Sequence, residues 1–320
     1  MVLLFSDPIF EQHDTGTHPE NSGRLVAIRQ ELERRSLPGN CERQPPQLAS
    51  PDQIERVHPS SHLRSIQRVA DAGGGRLDPD TVVSPKSPHV AEMAAGTACE
   101  AVRQVAKGDA SSALCLIRPP GHHALADRAM GFCLLNHIAI AARHAQEEFG
   151  LERILIVDWD VHHGNGTQDI FYRDPHVVFC SIHRFPFYPG TGDSDETGTG
   201  DGLGATFNVP IRYGTPREEY FARFVQGLEA AAERAKPQLV LISAGFDAHR
   251  EDPIGSLDLE TEDFIRLTQH VADVARQWCD GKIVSFLEGG YDPRALAESV
   301  AVHLECLCRQ ERQAEDRSLD

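Results

Sequence analysis

The chain has 320 residues, 40% of them hydrophobic and 25% charged, with 31 Lys and Arg against 48 Asp and Glu for a net charge of −17. These proportions describe a globular chain with a large core, and the acidic excess argues against binding nucleic acid by neutralising phosphates. No window approaches a membrane span, and the first residues lack a basic n-region and meet Asp7 too early for a signal peptide. The eight cysteines include no C-x-x-C pair, so a reducing, cytoplasmic setting is expected.

Val2 to Phe5 reads as a first strand, followed by a polar loop holding His13, His18, Pro19 and Glu20. Leu25, Ile28 and Leu32 at helical spacing predict a helix from Arg24 to Arg35. Pro45 to Ile54 reads as a connector, His62 to Ala70 as a helix, Gly-rich Ala72 to Asp80 as a surface loop, and Pro88 to Lys107 as a long Ala-rich helix ending at Gly108. From there an apolar strand, a polar or Gly-rich loop and a helix recur. Strands are expected at Ala113 to Ile117, Ile154 to Val157, Val177 to Ile182, Leu239 to Ser243 and Ile283 to Leu287. Helices are expected at Leu135 to Phe149, Glu218 to Ala235 and Thr261 to Trp278. A long loop fills Pro189 to Gly204, and a short helix from Arg294 to Cys308 precedes a charged, frayed tail.

Strands alternating with helices predict an α/β fold, a central parallel sheet with helices on both faces. Such a sheet gathers ligands at the carboxyl ends of its strands. Four strands deliver polar residues there: His122 and His123, then Asp158 to His163, then Asp247, then Tyr291. No linker divides the chain, so one domain over residues 1–310 and a tail over 311–320 are expected.

The richest stretch is Asp158-Trp-Asp-Val-His-His-Gly-Asn-Gly166. Read as a continuing strand, it turns Asp160 and His162 to one side. With Asp247 they offer three ligands to a cation such as zinc and leave a position open, as a catalytic site requires. The tandem His122-His123 in a Pro-Pro-Gly loop can accept a proton, and Tyr291 after two glycines can donate to an oxyanion. Together these parts describe metal-assisted hydrolysis of an amide. Each has a plainer reading alone: a surface histidine pair, a turn-forming aspartate, a packed tyrosine. Only their convergence selects the chemistry.

The segments Arg118-Pro-Pro-Gly-His-His-Ala124, Gly131-Phe-Cys133 with Asn136, Asp158 to Gly166, Ser243-Ala-Gly-Phe-Asp247 and Glu288-Gly-Gly-Tyr291 stand in the order found in the histone deacetylase family. From about His18 to Tyr291 the chain resembles its class II branch and the bacterial deacetylase-like proteins, which include acetylpolyamine amidohydrolases and acetoin-utilisation proteins. The resemblance implies the single-domain arginase–deacetylase fold and zinc, or iron(II), on Asp160, His162 and Asp247. It implies His123 as general base and acid, His122 as electrostatic aid, and Tyr291 polarising the acyl carbonyl, with Asp158 and Asn165 completing the catalytic set. It also implies a structural potassium on Asp158, the backbone of Asp160 and His162, Ser181 and Ile182. Gly131, Phe132 and Gly289 would border an acyl-lysine tunnel whose opposite wall is Tyr188 or Phe187, and Arg24 resembles an arginine near an internal acetate channel.

Two departures bear on the reaction. Asn165 stands where class I relatives carry Asp, which should keep His123 easier to hold neutral. Ile254 in Asp252-Pro-Ile-Gly255 stands where polyamine-specific relatives carry Glu, which favours acyl-lysine in proteins or peptides over acetylated small amines. Asp78 and Asp80 at the rim would favour the small amines. A dimanganese ureohydrolase would need Asp-x-Asp where Asp247-Ala-His249 stands, and a reader of acyl groups without turnover would not need Tyr291. No nucleic-acid or membrane partner is expected, and the chain is expected as a monomer or a homo-oligomer.

Overall fold

The branched-aliphatic runs become buried strands. In the computed structural model, which describes residues 2–36 and 41–318, the elements are β1 (Val2–Phe5), α1 (Gly23–Arg34), β2 (Cys41–Gln44), α2 (Pro51–Glu55), α3 (Ser60–Asp71), β3 (Gly75–Arg76), β4 (Val82–Val83) and α4 (Ser87–Lys107). Then come β5 (Ser112–Cys115), α5 (His137–Phe149), β6 (Ile154–Asp158), α6 (Asn165–Phe171), β7 (Val177–Arg184), β8 (Thr206–Ile211) and α7 (Arg217–Ala235). The last are β9 (Leu239–Ala244), α8 (Asp263–Cys279), β10 (Ile283–Leu287) and α9 (Pro293–Ser318).

Eight strands form one parallel sheet in the order β2-β1-β5-β10-β9-β6-β7-β8. Every residue of β5, β6, β9 and β10 is buried, as expected of central parallel strands covered on both faces. Helix α4 packs on β5, β10 and α5, while α7 packs on β6, β7 and β8, and α8 on β9 and α9. A fully buried Leu or Ile side chain contributes about 1.5–3 kcal/mol relative to an exposed one. This central slab therefore anchors the strand ends that carry the polar residues.

Several elements lay outside the sequence reading. Both edge strands, β2 and β8, were unread: Cys41–Gln44 carries Glu and Arg, and Thr206–Ile211 contains Pro210, features that edges tolerate and central strands do not. Helix α2 lies within the expected connector, announced by a capping box in which Ser50 and Gln53 exchange bonds of 2.9 and 3.3 Å. The expected surface loop holds half of the β3–β4 hairpin. Helix α9 does not stop at Cys308 before a frayed tail; its backbone stays helical to Ser318, in a stretch rich in the helix formers Glu, Arg, Gln and Ala. The helix thus crosses residue 310, and residues 319–320 of the expected tail lie outside the described residues.

Candidate active site

Four neighbouring strands, β5, β10, β9 and β6, open their carboxyl ends onto one cavity of about 230 Å³. His122, His123 and His162 line it with Tyr291 and Gly289; Gly131, Phe132, Phe187, Tyr188 and Ile254 add mostly apolar walls, and Asp80 completes the border.

β6 ends at Asp158, so Asp160 and His162 do not share a strand face as the spacing suggested. Carboxylates supply the reason. Asp158 Oδ1 accepts the N–H of Asp160 at 3.1 Å, Asp247 Oδ1 that of Val161 at 2.8 Å, and Asp160 Oδ1 that of His162 at 2.9 Å. Three successive backbone donors that a strand would give a neighbour are thus satisfied by side-chain carboxylates, two of them local and one from Asp247, and the chain bends. The bend brings ligand atoms of Asp160, His162 and Asp247 within 4.8 Å of one another, all buried. His162 Nδ1 lies 3.0 Å from Asp160 Oδ1 and 3.1 Å from Asp247 Oδ2.

The donor set fits a divalent cation: two carboxylates and an imidazole converge with no lysine or arginine among them. Glycines leave the room. A Cβ on Gly245 would fall 2.1 Å from Asp160 Oδ2, and one on Gly289 would fall 2.2 Å from Asp247 Oδ2. Gly289 also donates its N–H to Asp160 Oδ2 at 2.8 Å, which orients that carboxylate.

The histidine pair sits above this cradle with ring centroids 4.0 Å apart. His122 donates Nδ1–H to Asp158 Oδ2 at 3.0 Å. Burial works against charge on His122, but Asp158 and Asp160 outweigh it and push the ring up to about 10. Asp158 is itself raised by burial against the pull of His122. His123 Nδ1 lies 2.7 Å from Asn165 Oδ1, while the Asn165 amide nitrogen faces the Met130 sulfur at 3.5 Å. That orientation puts the proton on Nδ1 and leaves Nε2 free to accept. Burial, then the charges of His122 and His162, hold His123 well below its ordinary range. The two rings are thus shifted in opposite directions.

Glu288 was unread as a site residue although it opens the Glu-Gly-Gly-Tyr motif. Its Oε2 accepts the N–H groups of Gly121 and His122 at 2.8 and 3.3 Å, and Ser243 Oγ donates to its Oε1 at 3.1 Å. It therefore fixes the histidine loop to β9 and β10. The N-terminal Gly166 and Thr167 of α6 hold the carbonyl of His122 from the other side at 3.0 and 3.1 Å.

Phe187 and Tyr188, offered as alternatives for one wall, both line the cavity. Phe187 lies flat on His162 at 5.2 Å, and Tyr188 turns its edge to His123 at 5.2 Å. Phe132 meets Tyr291 edge-on at 5.9 Å and His18 at 4.5 Å. Of the rim acids only Asp80 borders the cavity; burial and Asp78 push its carboxyl up to about 6. Arg24 lies outside the cavity, buried behind Tyr291, with its guanidinium 5.2 Å from that ring and its Nε 2.6 Å from the Gly290 carbonyl. Ser181 pairs in register with Asp158 on β7, and its Oγ meets His183 Nδ1 at 2.9 Å. Ile182 follows it in the strand core. Three further histidines take structural bonds away from the cavity: His13 bonds Ser87, His58 accepts from Asn136 N, and His62 bonds the Leu134 carbonyl.

Fold and site together define a class, an α/β protein whose parallel strands present a buried carboxylate–imidazole cradle beside a histidine pair. The Histone deacetylase domain model matches residues 18–307, and the chain belongs to the histone deacetylase family. It is 41% identical to a "Probable deacetylase" of Methanothermobacter thermautotrophicus over 93% of this chain and 88% of that one. It is 38% identical to the "Histone deacetylase-like amidohydrolase" of Pseudomonas aeruginosa over 85% of this chain and 71% of that one. The crystal structure of the HDA15 HD domain superposes with a TM-score of 0.90 at 35% identity, covering 96% of this chain and 90% of that one. The expected fold is therefore the observed one, and the protein is a hydrolase with deacetylase or amidohydrolase activity. Membership excludes the ureohydrolase reading. Among the described residues no helix is long and apolar enough to cross a membrane.

Proposed function

We propose that this protein is a zinc-dependent amidohydrolase that removes acetyl or other acyl groups from the side-chain amine of acyl-lysine in proteins or peptides. One observation carries the reading: a mostly apolar cavity with His123 and Tyr291 on its wall also exposes His162, whose ligand atom lies within 4.8 Å of those of Asp160 and Asp247. Zinc on those ligands, or iron(II), would polarise the acyl carbonyl and lower the pKa of water to roughly 7.

The chain's own groups do the rest. His123 takes a proton from the attacking water at Nε2 and returns it to the amine as the C–N bond breaks, releasing carboxylate and free lysine. Asn165 holds His123 in the tautomer this requires. His122, whose protonation Asp158 and Asp160 favour, offsets the charge gathering on the acyl oxygen, and the Tyr291 phenol donates to that oxygen. Gly131, Phe132, Phe187, Tyr188, Ile254 and Gly289 enclose the lysine stem and exclude water. Asp158, the backbone of Asp160 and His162, Ser181 and Ile182 would hold the structural potassium, and Arg24 would lie beside the path by which acetate leaves. The catalytic domain is assigned to residues 1–310, with 311–320 as an appendage. Eight free cysteines support a reducing, cytoplasmic setting.

The acetylpolyamine reading keeps one observation, the carboxyl of Asp80 on the cavity border, which would attract a second amine. A turnover screen of the zinc-loaded protein decides. Acyl-lysine peptides of several chain lengths are expected to outpace acetylated polyamines. The reverse order would establish the small-amine activity, and binding without turnover would establish a reader of acyl groups.

A further inference from the structure

The phenol of Tyr291 has no hydrogen-bond partner among the described residues, so its place is set by its backbone and ring contacts. That backbone follows Gly289 and Gly290, the latter at φ +124, a stretch with little conformational preference of its own. Three side chains from distant parts of the chain hold it: Asp160 takes the Gly289 N–H, Arg24 donates to the Gly290 carbonyl, and Asp252 Oδ2 accepts the Tyr291 N–H at 2.7 Å.

Asp252 does more than hold one amide. Its other oxygen, Oδ1, accepts the N–H groups of Ile254 and Gly255 at 2.9 and 2.8 Å. One buried carboxylate thus satisfies three backbone donors, two in the turn that sets Ile254 on the cavity wall and one at the base of the phenol. Charge-assisted bonds of this kind are roughly twice as strong as neutral ones. Without the Tyr291 bond, Asp160 and Arg24 would still hold the two glycines, but no other hydrogen bond among the described residues would fix the Tyr291 backbone itself, from which the ring departs.

We propose that Asp252 is a positioning residue for the reaction, a latch that fixes the Tyr291 phenol in its donating pose and sets the distance between the phenol and the Ile254 wall. This rests on the reading of Tyr291 as the donor to the acyl oxygen. Asp252→Asn separates the latch from the turn. An amide that keeps its oxygen on the two turn donors points its NH₂ at the Tyr291 N–H, donor against donor.

The test is a double-mutant cycle on the zinc-loaded protein with an acyl-lysine peptide. Asp252→Asn is expected to lower kcat by about 10²-fold with KM little changed, because misplacing a catalytic group by roughly 1 Å costs that much. In a Tyr291→Phe background the same substitution is expected to cost less than about twofold, since the donor is already gone. An undiminished cost in that background, or full activity of Asp252→Asn alone, overturns the latch. If Tyr291→Phe itself keeps full activity, the underlying reading of Tyr291 fails instead.

A second readout needs no turnover. With fluorotyrosine at the five tyrosines, the ¹⁹F signal assigned to Tyr291 by its loss in Tyr291→Phe should shift or broaden in Asp252→Asn while the other four stay fixed. An unmoved Tyr291 signal counts against the latch. Should Asp252→Asn fail to fold, Asp252→Ser, whose hydroxyl can cap the turn but not reach Tyr291, is expected to give the same loss and the same spectral change.

Discussion

Gly289 shows how little freedom single residues have in this site. A methyl group there would meet Asp247 Oδ2 at 2.2 Å and Asp160 Oδ2 at 2.5 Å, and neither carboxylate can retreat because each also holds a backbone N–H. Gly289→Ala is therefore expected to keep the fold and weaken zinc binding by roughly 10–100-fold. Competition with a chelating dye measures it, and an unchanged affinity would mean that the cradle is looser than drawn. Tyr291 and Asp247 divide the roles differently. Tyr291→Phe should retain zinc and lose about 10²–10³ in kcat, whereas Asp247→Ala should lose the metal itself. Zinc content and single-substrate kinetics on both variants separate binding from polarisation.

Among elements, the turn after β7 is the one that shapes the cavity wall. The Arg184 guanidinium lies between Phe187 at 4.2 Å and Tyr213 at 4.6 Å and donates to the Gly255 carbonyl at 3.0 Å. It thus ties the Phe187 wall to the Ile254 turn. Lysine would keep the charge but lose the planar stack and the fork. Arg184→Lys is expected to raise KM by about 3–10-fold with kcat nearly unchanged, consistent with a cation–π contact of roughly 0.5–2 kcal/mol. An unchanged KM would show that Phe187 is held by His162 alone. The central elements were legible because β5, β6, β9 and β10 are dominated by buried aliphatic residues, with one polar residue each at Ser112, Asp158, Ser243 and Ser285. The edge strands were not, because an edge strand needs no apolar face and carries charge or proline instead.

For the whole molecule, acid is the expected weakness. Burial, the leading cause for each, keeps His13 and His137 at about 4 and His58 and His303 at about 3, below the ordinary 6.5. Unfolding frees these rings to bind protons, so stability falls as pH drops from 6.5 toward 3–4, by about 1.4 kcal/mol per pH unit for each ring that titrates. Glu20 acts lower down. Burial would raise it, but Arg118 and Arg24 hold it at about 2, so its contribution is lost only between 4.5 and about 2. The histidines therefore act first. Against an ordinary total of about 5–15 kcal/mol, they should unfold the chelator-treated protein between about pH 5 and 4. Near-ultraviolet circular dichroism against pH checks this, and a native signal persisting at pH 4 would show that these rings take up protons within the fold.

Residue types and their order along the chain were enough to read the α/β alternation and the four polar strand ends, and to single out Asp160, His162, Asp247, His122, His123 and Tyr291 as candidates. Periodicity and motif spacing are local, and each of those signals lies within a few residues. The tertiary structure alone decided what meets what. β10 inserts between β5 and β9, so Gly289 reaches Asp160 across 129 positions and Asp252 reaches Tyr291 across 39. The bend at Asp160, the grip of Glu288 on the histidine loop and the joint presence of Phe187 and Tyr188 have the same origin. Each depends on strands that are neighbours in the sheet and strangers in the chain, and no local pattern encodes that pairing.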